Sequence, residues 1–137
     1  MAAGAVVLLW MCALSCYDVR QRRLPNVLTL PGAAVILLGA AATGHGPPAI
    51  AGAAALSGTY LLVHLPVPAA MGAGDVKLAI GLGGLAGCFG APVWFLAALG
   101  APLLTALVGA VRGARTLPHG PAMCLATAGA VGLAVLG

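Results

Sequence analysis

Acidic residues are almost absent from this chain of 137 residues: there are two, Asp18 and Asp75, and no glutamate. Charge of either sign is scarce as well, at 6% of residues, where a soluble domain carries about 25%. A chain so poor in charge cannot cover its surface with polar side chains, which excludes water as its main solvent. Aromatic residues make up 4%. With no basic face interleaved with aromatics, the net charge of +4 does not point to nucleic acid. The four cysteines, Cys12, Cys16, Cys88 and Cys124, form no CxxC pair and no zinc spacing. They read as small, soft packing residues, and no metal or cofactor is expected. The first residues carry no basic run and no clear cleavage site follows them, so the opening apolar stretch reads as a retained helix and not a removed signal.

What the chain does have is apolar length. Hydrophobic residues make up 62%, with 21 glycines among them, and mean hydropathy is +1.12. Frequent small residues suit membrane helices, whose backbones approach closely. Apolar runs separated by Pro, Gly and charge predict an all-α, polytopic membrane protein of six segments. These run over about 2–17, 27–43, 49–65, 75–89, 93–111 and 122–136. They are long enough, or nearly so, to cross a bilayer. The first is expected to stop at Asp18, and Pro31 falls near the start of the second, where a missing amide proton costs little.

Six segments sort the charges. The connections after the first, third and fifth lie on one side, and these hold Arg20, Arg22, Arg23, Lys77, Arg112 and Arg115. The turns at 44–48 and 90–92 hold no Lys or Arg. By the positive-inside rule the charged side is cytoplasmic and the N-terminus lies outside.

Both acids fall on that same side, Asp18 closing the first segment and Asp75 opening the fourth. Ionisable groups at membrane depth are costly and mark function. Two carboxylates that meet share a proton, one serving as acid and the other as base. That is enough to activate a water against a peptide carbonyl and to protonate the leaving amine. Gly72 and Gly74, flanking Asp75, would leave room for an extended substrate backbone. Asp75 meets the positive end of its helix dipole and Asp18 the negative end of its own, so Asp75 is expected to be the more often charged of the two. The structural alternative is a helix cap or a water-facing acid at each position.

Three stretches carry a resemblance. Gly72-Ala73-Gly74-Asp75 is a GxGD motif, and GAGDVKLAIGLGGLAG, residues 72–87, resembles the second active-site segment of type IV prepilin peptidases. The run from Cys16 to Asn26, with Asp18, a basic loop and Leu24-Pro25-Asn26, resembles their first. Leu117-Pro-His-Gly-Pro121 is similar to the Pro-Phe-Gly-Pro element before their last helix, with His119 in place of the usual Phe. The three occur in the family's order across residues 12–125.

The resemblance implies Asp18 and Asp75 as the catalytic pair. It implies, as substrate, the short basic leader of a type IV prepilin or pseudopilin, cut at the cytoplasmic face of a bacterial inner membrane. Partners would then be the prepilin, the lipid bilayer and pilus or secretion assembly machinery. The larger members carry an N-terminal portion with paired CxxC motifs that methylates the new terminus. This sequence looks like the short, peptidase-only form found with tight-adherence pili. It is expected to be one domain over residues 1–137 without a methyltransferase portion.

Other polar residues have plainer readings. Lys77 reads as a snorkelling anchor, or as a group that steers Asp75 or contacts substrate. Asn26 reads as a cap for the second helix, or as a site-shaping group that positions a substrate backbone, with Pro25 stiffening the helix start. His119 and His64 read as solvated, and His45 falls on the far side. Arg20, Arg22 and Arg23 would repel a basic leader, so they are assigned to orientation and anionic lipid. Two other functions fit an acid pair. A proton-relaying transporter component would place its acids near the bilayer midplane and show a repeat, and no repeat is evident. A presenilin-type protease shares Tyr-Asp and GxGD but leaves the Leu-Pro-Asn and Pro-His-Gly-Pro elements unexplained. A catalytically silent pilus-assembly protein of the same fold also stays open.

Overall fold

The computed structural model describes residues 2–21, 26–67, 73–113 and 119–136. Among these the chain is all helix: α1 (Ala2–Gln21), α2 (Asn26–Ala42), α3 (Gly46–His64), α4 (Ala73–Gly87), α5 (Ala91–Arg112) and α6 (Gly120–Leu136). The order and spacing match the apolar runs, with differences at the ends. α1 does not stop at Asp18 but runs on to Gln21. Nothing in Val19-Arg20-Gln21 breaks a helix, so a charge at the apolar boundary does not end the hydrogen-bond ladder. α3 begins at Gly46 because Pro47 and Pro48 sit in its first turn, where their missing N–H groups have no helical partner to lose. α5 closes on Gly113 in the left-handed region, φ 67°, whose amide bonds to the Gly109 carbonyl. Glycine takes that conformation without the Cβ penalty.

α4 is the centre of the bundle, in close backbone contact with α2, α3, α5 and α6, while α1 lies chiefly on α6. It is buried on nearly every face: Leu78, Ala79, Leu82 and Ala86 are at most 1% exposed. Met11 and Leu14 of α1, Leu56 and Tyr60 of α3, Ala101 of α5 and Met123 of α6 complete the core around it. Two indoles tie outer helices in, Trp10 donating to the Leu28 carbonyl at 2.7 Å and Trp94 to the Gly52 carbonyl at 3.0 Å.

The closest packing joins α3 to α4, and glycine makes it. A Cβ on Gly83 would lie 2.6 Å from the Gly52 carbonyl oxygen and 2.8 Å from Leu56 Cβ. A Cβ on Gly87 would lie 2.5 Å from the Pro48 carbonyl oxygen. These neighbours are backbone or rigidly held and cannot swing aside, so α4 reaches the bundle axis only because it carries no side chains there.

The outward surface is apolar. Val27, Leu62, Val111 and Leu136 are more than 70% exposed, among many large aliphatic residues that face out. α3 and α5 are each long and apolar enough to cross a membrane, and α2 and α6 are apolar helices of 17 residues.

Gly83→Ala is expected to lower stability by about 1–3 kcal/mol through overpacking. Gly58→Ala in α3, where an added Cβ meets nothing within 4 Å, is expected to be neutral or slightly stabilising. Thermal unfolding in detergent micelles, each variant beside the parent, checks both.

Candidate active site

Alternating helix direction brings the ends of α1, α3 and α5 and the starts of α2, α4 and α6 to one end of the bundle. Long-range hydrogen bonds show that they meet. Lys77 in α4 donates to Asn26 Oδ1 in α2 at 2.9 Å. The Gly120 amide, first in α6, donates to Asp18 Oδ2 of α1 at 2.7 Å. His119, just before α6, reaches both α3 and α5.

Asp18 is 5% exposed, on the last full turn of α1 before its end at Gln21. Its carboxylate is pressed against the start of α6: a Cβ on Gly120 would lie 2.5 Å from Asp18 Oδ2. The amide at the first position of a helix has no partner in the ladder. Here it takes the carboxylate, a charge-assisted bond at the positive end of the α6 dipole. The expectation that Asp18 meets only the negative end of its own helix, leaving Asp75 the more often charged acid, is corrected: the last helix supplies the opposite pole to Asp18.

Asp75 lies in the first turn of α4 and is half-buried. The charge of Asp18 acts on the Asp75 carboxyl, and Cys124, one turn into α6, lies within the field of both. Among the described residues no group of three or more His, Cys, Asp or Glu is arranged to hold a metal ion. The chemistry this arrangement can perform is proton exchange between two carboxyl groups at a half-buried end of an apolar bundle.

Of the other residues singled out from sequence, Gly74 sits half-buried beside Asp75. Gly72 and Pro25 lie outside the described residues. Lys77 follows Asp75 by two positions, which on a helix turns it to a different face. Its ammonium is directed to Asn26, not to Asp75. The Asn26 oxygen read as a helix cap is thus occupied across the bundle, joining the starts of α2 and α4. His45 lies at the opposite end, bonded to Thr43 at 3.2 Å.

His119 overturns its reading as a solvated residue. It is half-buried, with Nε2 2.9 Å from the Tyr60 hydroxyl and Nδ1 2.8 Å from Thr105 Oγ1. Tyr60, 6% exposed, also lies within the field of Asp75. Tyr60 and Thr105 were missed from sequence. The available signal was a hydroxyl on each of two apolar helices, at the depth of the Pro-His-Gly-Pro element.

The class of protein to which this helical bundle belongs comes from the comparison with known families. The model of the type IV leader peptidase family matches residues 5–110. The chain belongs to that family and is a peptidase of its kind. The match contains Asp18 and Asp75 and ends before His119 and Gly120. No curated protein and no solved structure matches the chain.

Burial holds the His119 imidazole below its usual range. A histidine near its ordinary value of about 6.5 in the unfolded chain then takes a proton before the folded one does. Stability from this ring is complete above that pH and is lost as the solution becomes more acid. The thermal midpoint should therefore fall as pH drops below about 6.5. His119→Phe, which has nothing to protonate, should fall less over the same interval. Parallel melts of both proteins across pH check it.

Proposed function

We propose that the protein is a multi-pass membrane aspartic endopeptidase that removes the short basic leader from a prepilin-like substrate at the cytoplasmic face of a bacterial inner membrane. The observation that carries this reading is the convergence of the chain's two acids. Asp18 and Asp75 come from opposite halves of the sequence to one end of the bundle, and each is within the other's field.

Asp18 is the base and Asp75 the acid. Asp18, held in place by the Gly120 amide, takes a proton from water. The hydroxyl adds to the scissile carbonyl carbon. Asp75 donates its proton to the amide nitrogen as the C–N bond breaks, leaving a carboxylic acid and a free amine. A following proton exchange between the pair restores the starting state.

The bilayer supplies the rest of the geometry. The apolar exterior suits lipid better than water, and the Lys and Arg residues fall on the acids' side of the six segments. A substrate whose leader is basic and whose next segment is a hydrophobic helix would seat that helix in the bilayer. Its cleavage point would then sit level with Asp18 and Asp75. The domain over residues 1–137 carries the peptidase step.

Co-expression with a pilin-like protein, read as its size on a gel, tests the reading. The parent should shorten the pilin by its leader. Asp18→Asn and Asp75→Asn should each slow cleavage by about 10²–10⁴-fold. Processing that continues at the parent's rate with either aspartate replaced would overturn the assignment.

Membrane orientation has its own check. An alkaline phosphatase reporter inserted at Gly44 should be active, marking the outer face, and one at Val67 inactive. The reverse pattern would put the acids on the outer side.

A further inference from the structure

His119 is the one described residue hydrogen-bonded by its side chain to two helices while its own backbone opens a third. Nε2 meets Tyr60 in α3 and Nδ1 meets Thr105 in α5, so both ring nitrogens are engaged. A neutral imidazole has one donor and one acceptor, and a hydroxyl on each side satisfies either tautomer. The ring is tilted 46° to that of Tyr60, with centroids 5.6 Å apart. Its carbonyl accepts the Met123 amide at 2.9 Å, the first rung of α6.

The next backbone amide is that of Gly120, bonded to Asp18. Pro121 follows and has no N–H, so it offers Asp18 no rival donor. The direction of the Gly120 amide is set by the peptide that joins it to His119. Rotation of that peptide is blocked on one side by the clamped imidazole and on the other by the α6 ladder.

We propose that His119 is a positioning residue for the acid pair: by bridging the Tyr60 and Thr105 hydroxyls it fixes the peptide that presents the Gly120 amide to Asp18. A phenyl ring at 119 would fill similar volume and bridge nothing. Glutamine, with a carbonyl and an amide NH₂, keeps a donor and an acceptor. The consequence for turnover rests on the peptidase reading, whereas the consequence for the Gly120 amide does not.

The test has two arms. The chain contains two His-Gly pairs, His45-Gly46 and His119-Gly120. Labelling His carbonyl carbon and Gly nitrogen in the full-length protein in micelles therefore selects two amide signals, with Gly46 as internal control. The Gly120 proton should be shifted downfield in the parent and move upfield in Asp18→Ala. It should move the same way in Tyr60→Phe combined with Thr105→Val, which keeps His119 and the label, with Gly46 still. A Gly120 signal unchanged in that double variant overturns the proposal.

In the second arm, cleavage of a purified prepilin should show kcat reduced about tenfold to a hundredfold in His119→Phe with KM unchanged. His119→Gln should recover most of the loss. Equal kcat in the parent and His119→Phe overturns the proposal. A parent that cleaves no prepilin overturns the peptidase reading instead, and the Gly120 signal still decides the role of His119.

Discussion

The hydrogen bond from the Gly120 amide to Asp18 joins the end of the first helix to the start of the last. A carboxylate that is 5% exposed is costly to leave without donors in an apolar setting. The first amide of a helix is in the same position, since no carbonyl precedes it in the ladder. Each supplies what the other lacks. The bond needs glycine at 120, because a Cβ there would lie against the carboxylate. It also needs α6 to begin where it does, which draws in the residue just before Gly120.

The central helix imposes the complementary constraint. Asp75 opens α4, which runs through the middle of the bundle, and α4 fits there because the face it turns to α3 carries glycine. Gly83 and Gly87 meet backbone of α3 at distances no side chain would tolerate. Polar chemistry at one end and small residues along the axis are thus two parts of one arrangement. The glycines let α4 pack closely on α3, and Asp75 at its start lies within the field of Asp18, although α1 itself lies mainly on α6.

Much of this was legible in the sequence for simple reasons. Proline and glycine punctuate the apolar runs, so six helices could be set out to within a few residues. The scarcity of acid made Asp18 and Asp75 conspicuous, and alternating direction put them at one end. Arg20 and Arg112, in the last turns of α1 and α5, follow the same rule. What escaped notice depends on contacts between helices distant in sequence. Nothing local to His119 says that Tyr60 and Thr105 face it, and a histidine between two prolines in a loop reads as solvated. Lys77 and Asn26 each had a sensible local role, an anchor and a cap, and their partnership emerges only when α2 and α4 start side by side. α1 overruns Asp18 because a charge alone does not stop a helix.

The central claim is that Asp18 and Asp75 behave as one proton-sharing unit, and the chain's composition allows an unusually clean measurement. With two aspartates and no glutamate, carbon-13 labelling of Asp side chains yields two carboxyl signals to follow by NMR as pH is varied in micelles. Coupled groups titrate in two steps that belong to the pair. Both signals should therefore move in both steps, and Asp18→Asn should leave Asp75 with a single step at a different pH. Two independent curves, with that of Asp75 unchanged when Asp18 is replaced, would contradict the shared proton and with it the catalytic pair.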